Sequence, residues 1–313
     1  MKSNKILPKI FIFGIISLLL VSSVAVAQQN KYQYKKQAGK VEVTTPNLAV
    51  KITGAGNVPH FHFWNPNDTQ KDYHVMFVRI FEFNDTDNDG TYTIDGDKLL
   101  GTPLALPSEN WDVSEINVEK EGDEVQAIHF NFTNNASQQG VGKPQSEVFI
   151  QLRMHVYAAS SNEIKFDVII SDWNWESDSS YLALQYTITE SEHDQEENLE
   201  KPQGFQRNGT KFQFSQGYME YEEEAKNQNN NTLQVKASYG EGMEGDDGES
   251  VYLAFENFKG DQLIYDPTLG INPEQTADGL ESIGSPFMWV GLAAGAILGV
   301  IIIFRKMEFT QRE

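Results

Sequence analysis

The sequence predicts an all-β ectodomain, an antiparallel β-sandwich of about a dozen strands, followed by one C-terminal transmembrane helix. From Lys40 onward, apolar and polar residues alternate at a period of two, which is the pattern of half-buried strands. Asn, Asp and Gly turns separate these runs, and no amphipathic helix is available for the crossovers of a parallel sheet. The run from Pro286 to Phe304 carries no charge over 19 residues, which is long enough to cross a bilayer as a helix.

Ten segments have the composition and periodicity of strands. In the segment 148–156, every second residue is Val, Ile, Leu or Met, so one face is continuously apolar. The ten predicted strands cover residues 48–52, 58–64, 73–83, 128–132, 148–156, 164–170, 181–188, 211–214, 233–239 and 251–258. The acidic stretch at 190–203 is either a solvated loop or a boundary between two lobes.

The first 27 residues have the features of a signal peptide. Three lysines precede the apolar stretch 10–27, which ends in Ala25-Val26-Ala27. Small residues spaced in this way are the pattern that signal peptidase cleaves after. The mature chain is therefore expected to begin at Gln28, and an uncleaved signal anchor is the alternative.

At the other end, residues 272–285 are predicted to form a stalk, 286–304 the transmembrane helix and 305–313 a cytoplasmic tail. Arg305 and Lys306 follow the apolar run directly, and basic residues remain on the cytoplasmic side. We therefore expect a cell-membrane protein with a single span, its C-terminus inside and residues 28–285 outside.

Three glycines of the predicted span recur at every fourth position: Gly291, Gly295 and Gly299. They line one face of a helix, where the missing side chains let a second helix approach closely. A homodimer formed through this face is a possible consequence. Glycine is also common in membrane helices that do not pair.

The chain is strongly acidic and contains no cysteine. Its formal charge is −21, and residues 28–285 carry 43 acidic side chains against 18 basic ones. This charge repels nucleic acid and attracts cations, so no nucleic-acid partner is expected. The domain must be held together by its apolar core, with a bound cation as a possible supplement.

Six asparagines of the expected ectodomain lie in Asn-x-Ser/Thr sequences, which are acceptors for N-glycosylation. They are compatible with a glycoprotein, although an Asn-rich sequence produces several by chance. These positions are Asn67, Asn84, Asn131, Asn135, Asn208 and Asn230.

Alternating aspartates followed by a glycine at residues 85–90 indicate a calcium loop. Calcium takes six to eight oxygen ligands, and such a loop offers carboxylates at its first, third and fifth positions and then a backbone carbonyl. The predicted ligands are Asp85, Asp87, Asp89, the carbonyl of Thr91, and Asp95 or Asp97. The alternative is an acidic turn without metal.

The segment resembles the calcium loops of EF-hand and dockerin-type modules. Its twelfth position is Gly96, where an EF-hand has a bidentate glutamate. Asp95 or Asp97 must therefore complete the site. The flanking segments 73–83 and 91–94 have strand-like sequences, which predicts a calcium-stapled hairpin rather than a helix–loop–helix.

Three histidines form a second candidate metal site. His60 and His62 share one strand face, and a hairpin centred near Asp68 would place His74 opposite His62. Three imidazoles suit Zn²⁺ or Cu²⁺ with one open position. The simpler interpretation is that aromatic-rich strands carry histidines at half-buried positions, and a slip of one residue in register would turn His74 to the other face.

Trp173 and Trp175 alternate with acidic and amide residues, as in sugar-binding platforms where the rings stack on pyranoses. The same pattern fits tryptophans that fill a core. Asp172 and Glu176 would lie about 13 Å apart in an extended strand, too far for a glycosidase pair made of neighbours.

The overall plan resembles that of archaeal-type single-pass cell-surface proteins. The resemblance is one of architecture. We expect a calcium-stabilised β-sandwich module on the cell surface with a structural, adhesive or ligand-binding role, whose partner is an unknown surface protein or glycan. No motif of a known reaction stands in a suitable context, so no enzymatic activity is expected. The alternatives are a Zn²⁺- or Cu²⁺-dependent surface enzyme or metal-handling protein, and a carbohydrate-binding module.

Overall fold

The computed structural model describes residues 32–37, 39–53, 59–139, 141–193, 198–240, 242, 248–259 and 262–272. The predicted signal peptide, transmembrane helix, glycine face and cytoplasmic tail lie outside the described residues, as does the stalk beyond Asn272. In the part that is described, no helix has the length and apolar character needed to cross a membrane.

The described residues form twenty strands and two short 3-10 turns at Leu106–Ser108 and Ala158–Ser160, without an α-helix. The strands are β1 Gln33–Gln37, β2 Lys40–Thr44, β3 Ala49–Thr53, β4 His60–Asn65, β5 Asp68–Asn84, β6 Lys98–Ala105, β7 Asp112–Val113, β8 Asn117–Glu121, β9 Glu124–Gln138, β10 Ser146–Tyr157, β11 Glu163–Ser171, β12 Tyr181–Glu192, β13 Gln206–Asn208, β14 Lys211–Phe214, β15 Gly217–Glu220, β16 Glu224–Asn227, β17 Thr232–Gly240, β18 Glu249–Glu256, β19 Leu263–Tyr265 and β20 Thr268–Ile271.

The all-β antiparallel prediction is confirmed, because every strand pairing among the described residues is antiparallel. All ten predicted segments contain strands, and β10 buries every second residue from Val148 to Val156. The strand count exceeds the predicted dozen. Several short strands outside the ten predicted segments, such as β13, β15 and β16, carry too few residues to show a period.

The strands fall into two hydrogen-bonded groups. In the first, β1 to β5 pair in succession, followed by β12, β18 and β17. The long strand β5 pairs with β4 along its first half and with β6 along its second. This strand is therefore the backbone element that joins the two candidate metal sites.

In the second group, β7 and β8 pair with β9, which continues to β10 and β11. Strand β11 then pairs with both β19 and β20, and β15, β14 and β13 extend from β20. Strand β16 pairs with β19 and with β17, so β17 connects the two groups.

Aromatic side chains form contacts between the two groups. The ring of Phe166 on β11 lies 5.2 Å from the ring of Phe61 on β4 and 5.8 Å from that of Phe77 on β5. Phe214 on β14 packs 5.5 Å from Tyr73 on β5. All these rings are buried. The chain has no cysteine, so their packing contributes stability that disulfides provide in many exported domains.

The described residues up to Ile271 form one compact unit. Residues 190–193 and 198–203 of the acidic stretch are described and belong to this unit, and Glu190 exchanges backbone hydrogen bonds of 2.9 Å with Glu200. The carboxylate of Glu190 is buried, lies 3.3 Å from Lys71 Nζ and accepts a hydrogen bond from the Gln203 amide. These hydrogen bonds attach Glu200 and Gln203 to Glu190 at the end of β12.

We expect Phe166→Ala to lower the free energy of unfolding by about 3–5 kcal/mol, because the lost ring leaves a cavity between the two groups of strands. Denaturant unfolding followed by tryptophan fluorescence measures the change. Val141→Ala is the control, because Val141 is 71% exposed and such a change has an effect within about 0.5 kcal/mol. Equal stability of the two variants would contradict this account of the core.

Candidate metal centres

The β4–β5 hairpin aligns three histidines. The strands are joined at a tight turn in which Asn65 pairs with Asp68, and the Asn65 side-chain oxygen accepts a hydrogen bond from the Asn67 amide. The register shifts between Phe63 and Asn65, and beyond this shift His74 lies directly opposite His62, as the sequence predicts. His60 lies two residues from His62, so it shares the same face.

The three imidazoles converge. Each of His60, His62 and His74 offers a ring nitrogen, and these atoms lie within 4.8 Å of one another. The ring centroids of His60 and His62 are 4.0 Å apart, and those of His62 and His74 are 4.4 Å apart. His62 and His74 are 5% and 1% exposed, and His60 is half-buried.

Burial keeps the central imidazole neutral. Desolvation lowers the pKa of His62 well below its usual range, and the neighbouring His60 and His74 lower this pKa further. A neutral imidazole has a lone pair to donate, so it is the form that binds a metal ion. At neutral pH the site therefore presents an uncharged nitrogen ligand at its centre.

Neighbouring side chains hold the rings in place. His74 Nε2 lies 2.8 Å from the Ser191 hydroxyl, which orients the His74 ring from β12. Two ring nitrogens of the cluster, His60 Nε2 and His74 Nδ1, are buried and receive no hydrogen bond from the described residues, although both rings have other contacts. A hydrogen-bonding partner at one ring nitrogen fixes the orientation of a histidine and leaves the other nitrogen to bind a metal ion.

The sequence interpretation missed a fourth histidine beside this cluster. His193 lies just beyond β12, where its Nδ1 is 2.6 Å from Asp72 Oδ1 and its ring packs 5.3 Å from Trp64. Asp72 and His74 occupy alternate positions of β5, so they share a face. The alternate spacing of Asp72 and His74 can be read from the sequence. The position of His193 cannot, because it depends on how far β12 extends into the acidic segment.

The aspartate loop connects β5 to β6. Oxygens of Asp85, Asp87 and Asp89 lie within 4.8 Å of one another. The Asp85 carboxylate accepts hydrogen bonds of 2.8 Å from the amides of Asn88 and Gly90. Gly90 has a φ of +80°, a conformation that favours glycine and permits the tight bend. The three carboxylates that the sequence predicts as calcium ligands are therefore brought together.

The remaining predicted ligands have other roles in this structure. Asp97 accepts hydrogen bonds from the amides of Thr86 and Thr93 and so closes the base of the loop. Thr91 donates from its amide and its hydroxyl to Asp89 Oδ1, and these bonds lower the pKa of Asp89. Asp95 is exposed.

The predicted strand at Thr91–Ile94 is wrong. This segment has no strand conformation, because carboxylates bond the amides of Thr91 and Thr93 that a sheet ladder would use. Tyr92 is buried and its ring packs 4.7 Å from that of Phe81, which attaches the loop to the sheet. The paired strands that flank the loop are β5 and β6.

The tryptophan segment does not form a sugar platform. Trp173 is 3% exposed, and its indole nitrogen lies 3.5 Å from a carboxylate oxygen of the buried Glu82. Trp175 is half-buried and packs 5.0 Å from Phe258. The ring of Trp173 is too deeply buried to stack on a pyranose, so the core interpretation holds for Trp173. The segment lacks strand conformation because β11 ends at Ser171.

The acceptor asparagines are mostly accessible. Asn131 is half-buried on β9, and the other five acceptors are exposed: Asn67, Asn84, Asn135, Asn208 and Asn230. Exposure is a requirement for attachment of a bulky glycan. The exposed acceptors are therefore compatible with modification.

The pKa of His62 predicts an acid-sensitive fold in the metal-free protein. Since the folded pKa is depressed, the unfolded chain binds more protons, and stability falls as the pH drops below the unfolded value of 6.5. We expect a slope of up to about 1.4 kcal/mol per pH unit from this group. Denaturant unfolding of chelator-treated protein between pH 7.5 and 5 measures it. The slope should decrease in His62→Gln, and an identical slope would exclude His62 as its source.

Comparison with models of protein families and with curated proteins finds no match for this chain. No activity can therefore be transferred from a relative. The two side-chain clusters are the features from which a function can be argued, the first made of His60, His62 and His74 and the second of Asp85, Asp87 and Asp89.

Proposed function

We propose that this chain is a membrane-anchored cell-surface β-sandwich module that binds a transition-metal ion, Zn²⁺ or Cu²⁺, through His60, His62 and His74. The observation that carries this proposal is the convergence of three imidazole nitrogens within 4.8 Å, with two of the rings buried. Nitrogen donors in this number favour zinc or copper over calcium and magnesium.

The burial of the ligands supports binding rather than catalysis. Structural zinc sites are closed, whereas catalytic sites keep a position open for water or substrate. His62 and His74 are almost completely covered. The ion would therefore act as a staple across β4 and β5 or as retained cargo, and a metal-dependent surface enzyme is the less favoured alternative.

The cell-surface location is supported by the predicted signal peptide and transmembrane helix and by the acidic, sandwich-like ectodomain. The predicted signal peptide, the apolar run at 286–304 and the basic residues after it place residues 28–285 outside. The sandwich arrangement is supported by aromatic contacts between the two groups of strands. The excess of acidic side chains favours a neutral, basic or metal-bridged partner over an anionic one.

Metal titration of the full chain in detergent tests the histidine site. We expect stoichiometric Zn²⁺ or Cu²⁺ with a dissociation constant at or below about 1 μM and a rise in the melting temperature, because an ion that binds only the folded state stabilises it. His62→Gln should abolish both effects.

Thr189→Val is the matched control, since Thr189 pairs with His74 in the neighbouring strand but is not a ligand. This variant should bind the ion as the wild type does. If His62→Gln retains the binding and the thermal shift of the wild type, the histidine site is excluded.

A second candidate function is calcium binding by the loop at residues 85–97. It is favoured by the convergence of Asp85, Asp87 and Asp89 at the turn between two paired strands. Calcium prefers oxygen ligands, so this ion would occupy the loop and leave the histidines to a softer metal. Calcium would then stabilise the β5–β6 hairpin at the opposite end of β5 from His74.

We expect excess Ca²⁺ to raise the melting temperature of the full chain by several degrees and a chelator to reverse this rise. Asp87→Asn should remove the response, because Asp87 is an exposed member of the carboxylate group. Asp123→Asn, in the exposed turn between β8 and β9, is the control and should keep it. A calcium response that survives Asp87→Asn would place the ion elsewhere.

A further inference from the structure

The six histidines of the chain fall into two groups on different strands. Four lie on or just beyond β4, β5 and β12, where the proposed site is: His60, His62, His74 and His193. The other two, His129 on β9 and His155 on β10, are far from them in the strand order. They are neighbours across the β9–β10 ladder.

These two imidazoles face each other through the same ring atom. His129 Nδ1 and His155 Nδ1 are 2.7 Å apart, and the ring centroids are 5.0 Å apart with an interplanar angle of 66°. Both side chains are 21% exposed. The pair is therefore accessible to solvent, unlike the buried His62 and His74.

Carboxylates stand at the opposite nitrogen of each ring. His155 Nε2 lies 3.3 Å from Asp167 Oδ2 on β11, and His129 Nε2 lies 3.6 Å from Glu119 Oε1 on β8. A carboxylate next to Nε2 favours the tautomer that has its proton on that atom. In that tautomer neither Nδ1 atom carries a proton, so both have a free lone pair.

Two lone pairs at 2.7 Å repel unless an electron-pair acceptor joins them. The acceptor is either a proton shared by the two rings or a metal ion held by both. A carboxylate at the far nitrogen of each imidazole is the arrangement that orients metal-binding histidines and increases their basicity. Exposure of the pair also lets water molecules complete a coordination sphere.

We propose that His129 and His155 form a second, solvent-accessible transition-metal site, in which both Nδ1 atoms bind one divalent ion and Asp167 and Glu119 position the two rings. Among first-row divalent ions, copper has the highest affinity for imidazole nitrogen. The site is independent of the proposed function, because it shares no residue with the three-histidine cluster.

The surrounding charges suit a cation of this kind. Asp266 lies beside Asp167, and burial together with the charge of Asp167 raises the pKa of Asp266, which marks an excess of negative charge there. Across the β10–β11 ladder, Lys165 lies opposite His155 and Arg153 lies opposite Asp167.

Copper binding to the full chain in detergent tests the proposal. The probe is Cu²⁺ in a buffer with excess Ca²⁺, which occupies carboxylate clusters, and the background is His60→Gln/His62→Gln, which removes the other histidine site. We expect this background to bind one Cu²⁺ whose electron paramagnetic resonance spectrum shows coupling to two imidazole nitrogens. Adding His155→Gln should abolish that signal.

Two further variants distinguish the loss of a metal ligand from the loss of a positioning residue and from the non-specific effects of a substitution. Asp167→Asn should keep the two-nitrogen spectrum but weaken the affinity about 10- to 100-fold, as expected of a residue that acts through a ligand. His193→Gln is the matched control, a half-buried histidine that also contacts a carboxylate, and it should change neither spectrum nor affinity.

The outcomes distinguish this site from the proposed function. If His62→Gln leaves the wild-type copper stoichiometry unchanged while His155→Gln lowers it by one, the site at His129 and His155 is supported and the three-histidine site is excluded. If the background binds no copper, or binds it equally with and without His155, the pair is not a metal site and its Nδ1 atoms share a proton instead. Should the background fail to fold, the same comparison is made with His155→Gln alone.

Discussion

The register of the β4–β5 hairpin is the constraint on which both the core and the proposed metal site depend. The turn pairs Asn65 with Asp68, and a shift in register between Phe63 and Asn65 then brings His62 opposite His74. In this alignment Phe61 and Val75 point into the core and are completely buried. A slip of one residue would exchange the two faces, burying imidazoles among aromatic rings and exposing phenylalanine. The energy of the core therefore also holds the histidines together.

Buried carboxylates attach the segments that surround these faces. Glu82 accepts hydrogen bonds from the amides of Glu176 and Ser177, which fixes the loop after β11 and covers Trp173. The Glu190 carboxylate accepts a hydrogen bond from the amide of Gln203 and so holds this residue against β12. These contacts satisfy charges that would be costly to bury alone. Through them, polar stretches that lack strand periodicity acquire a defined position.

The three candidate ion sites are spatially separate and chemically distinct. His74 and Asp85 both follow from β5, but 11 residues of extended chain between them correspond to about 36 Å. The pair His129 and His155 lies in the other group of strands. Nitrogen sites favour zinc or copper and the oxygen site favours calcium. Because of this separation, loss of one ion should leave the affinities of the others unchanged, as expected for distant residues.

The sequence by itself determined the all-β antiparallel class and the ten main strands, because these depend on local periodicity. The opposition of His62 and His74 was one of two alternatives, and it depends on the register shift between Phe63 and Asn65. The sequence also identified the spacing of Asp85, Asp87 and Asp89. Only the tertiary structure decided that Trp173 is buried and that Thr91–Ile94 is a loop, and it alone revealed the short strands β13, β15 and β16. Those outcomes depend on pairing between segments far apart in the chain, and a local pattern carries no information about which distant strand, carboxylate or ring will be the neighbour.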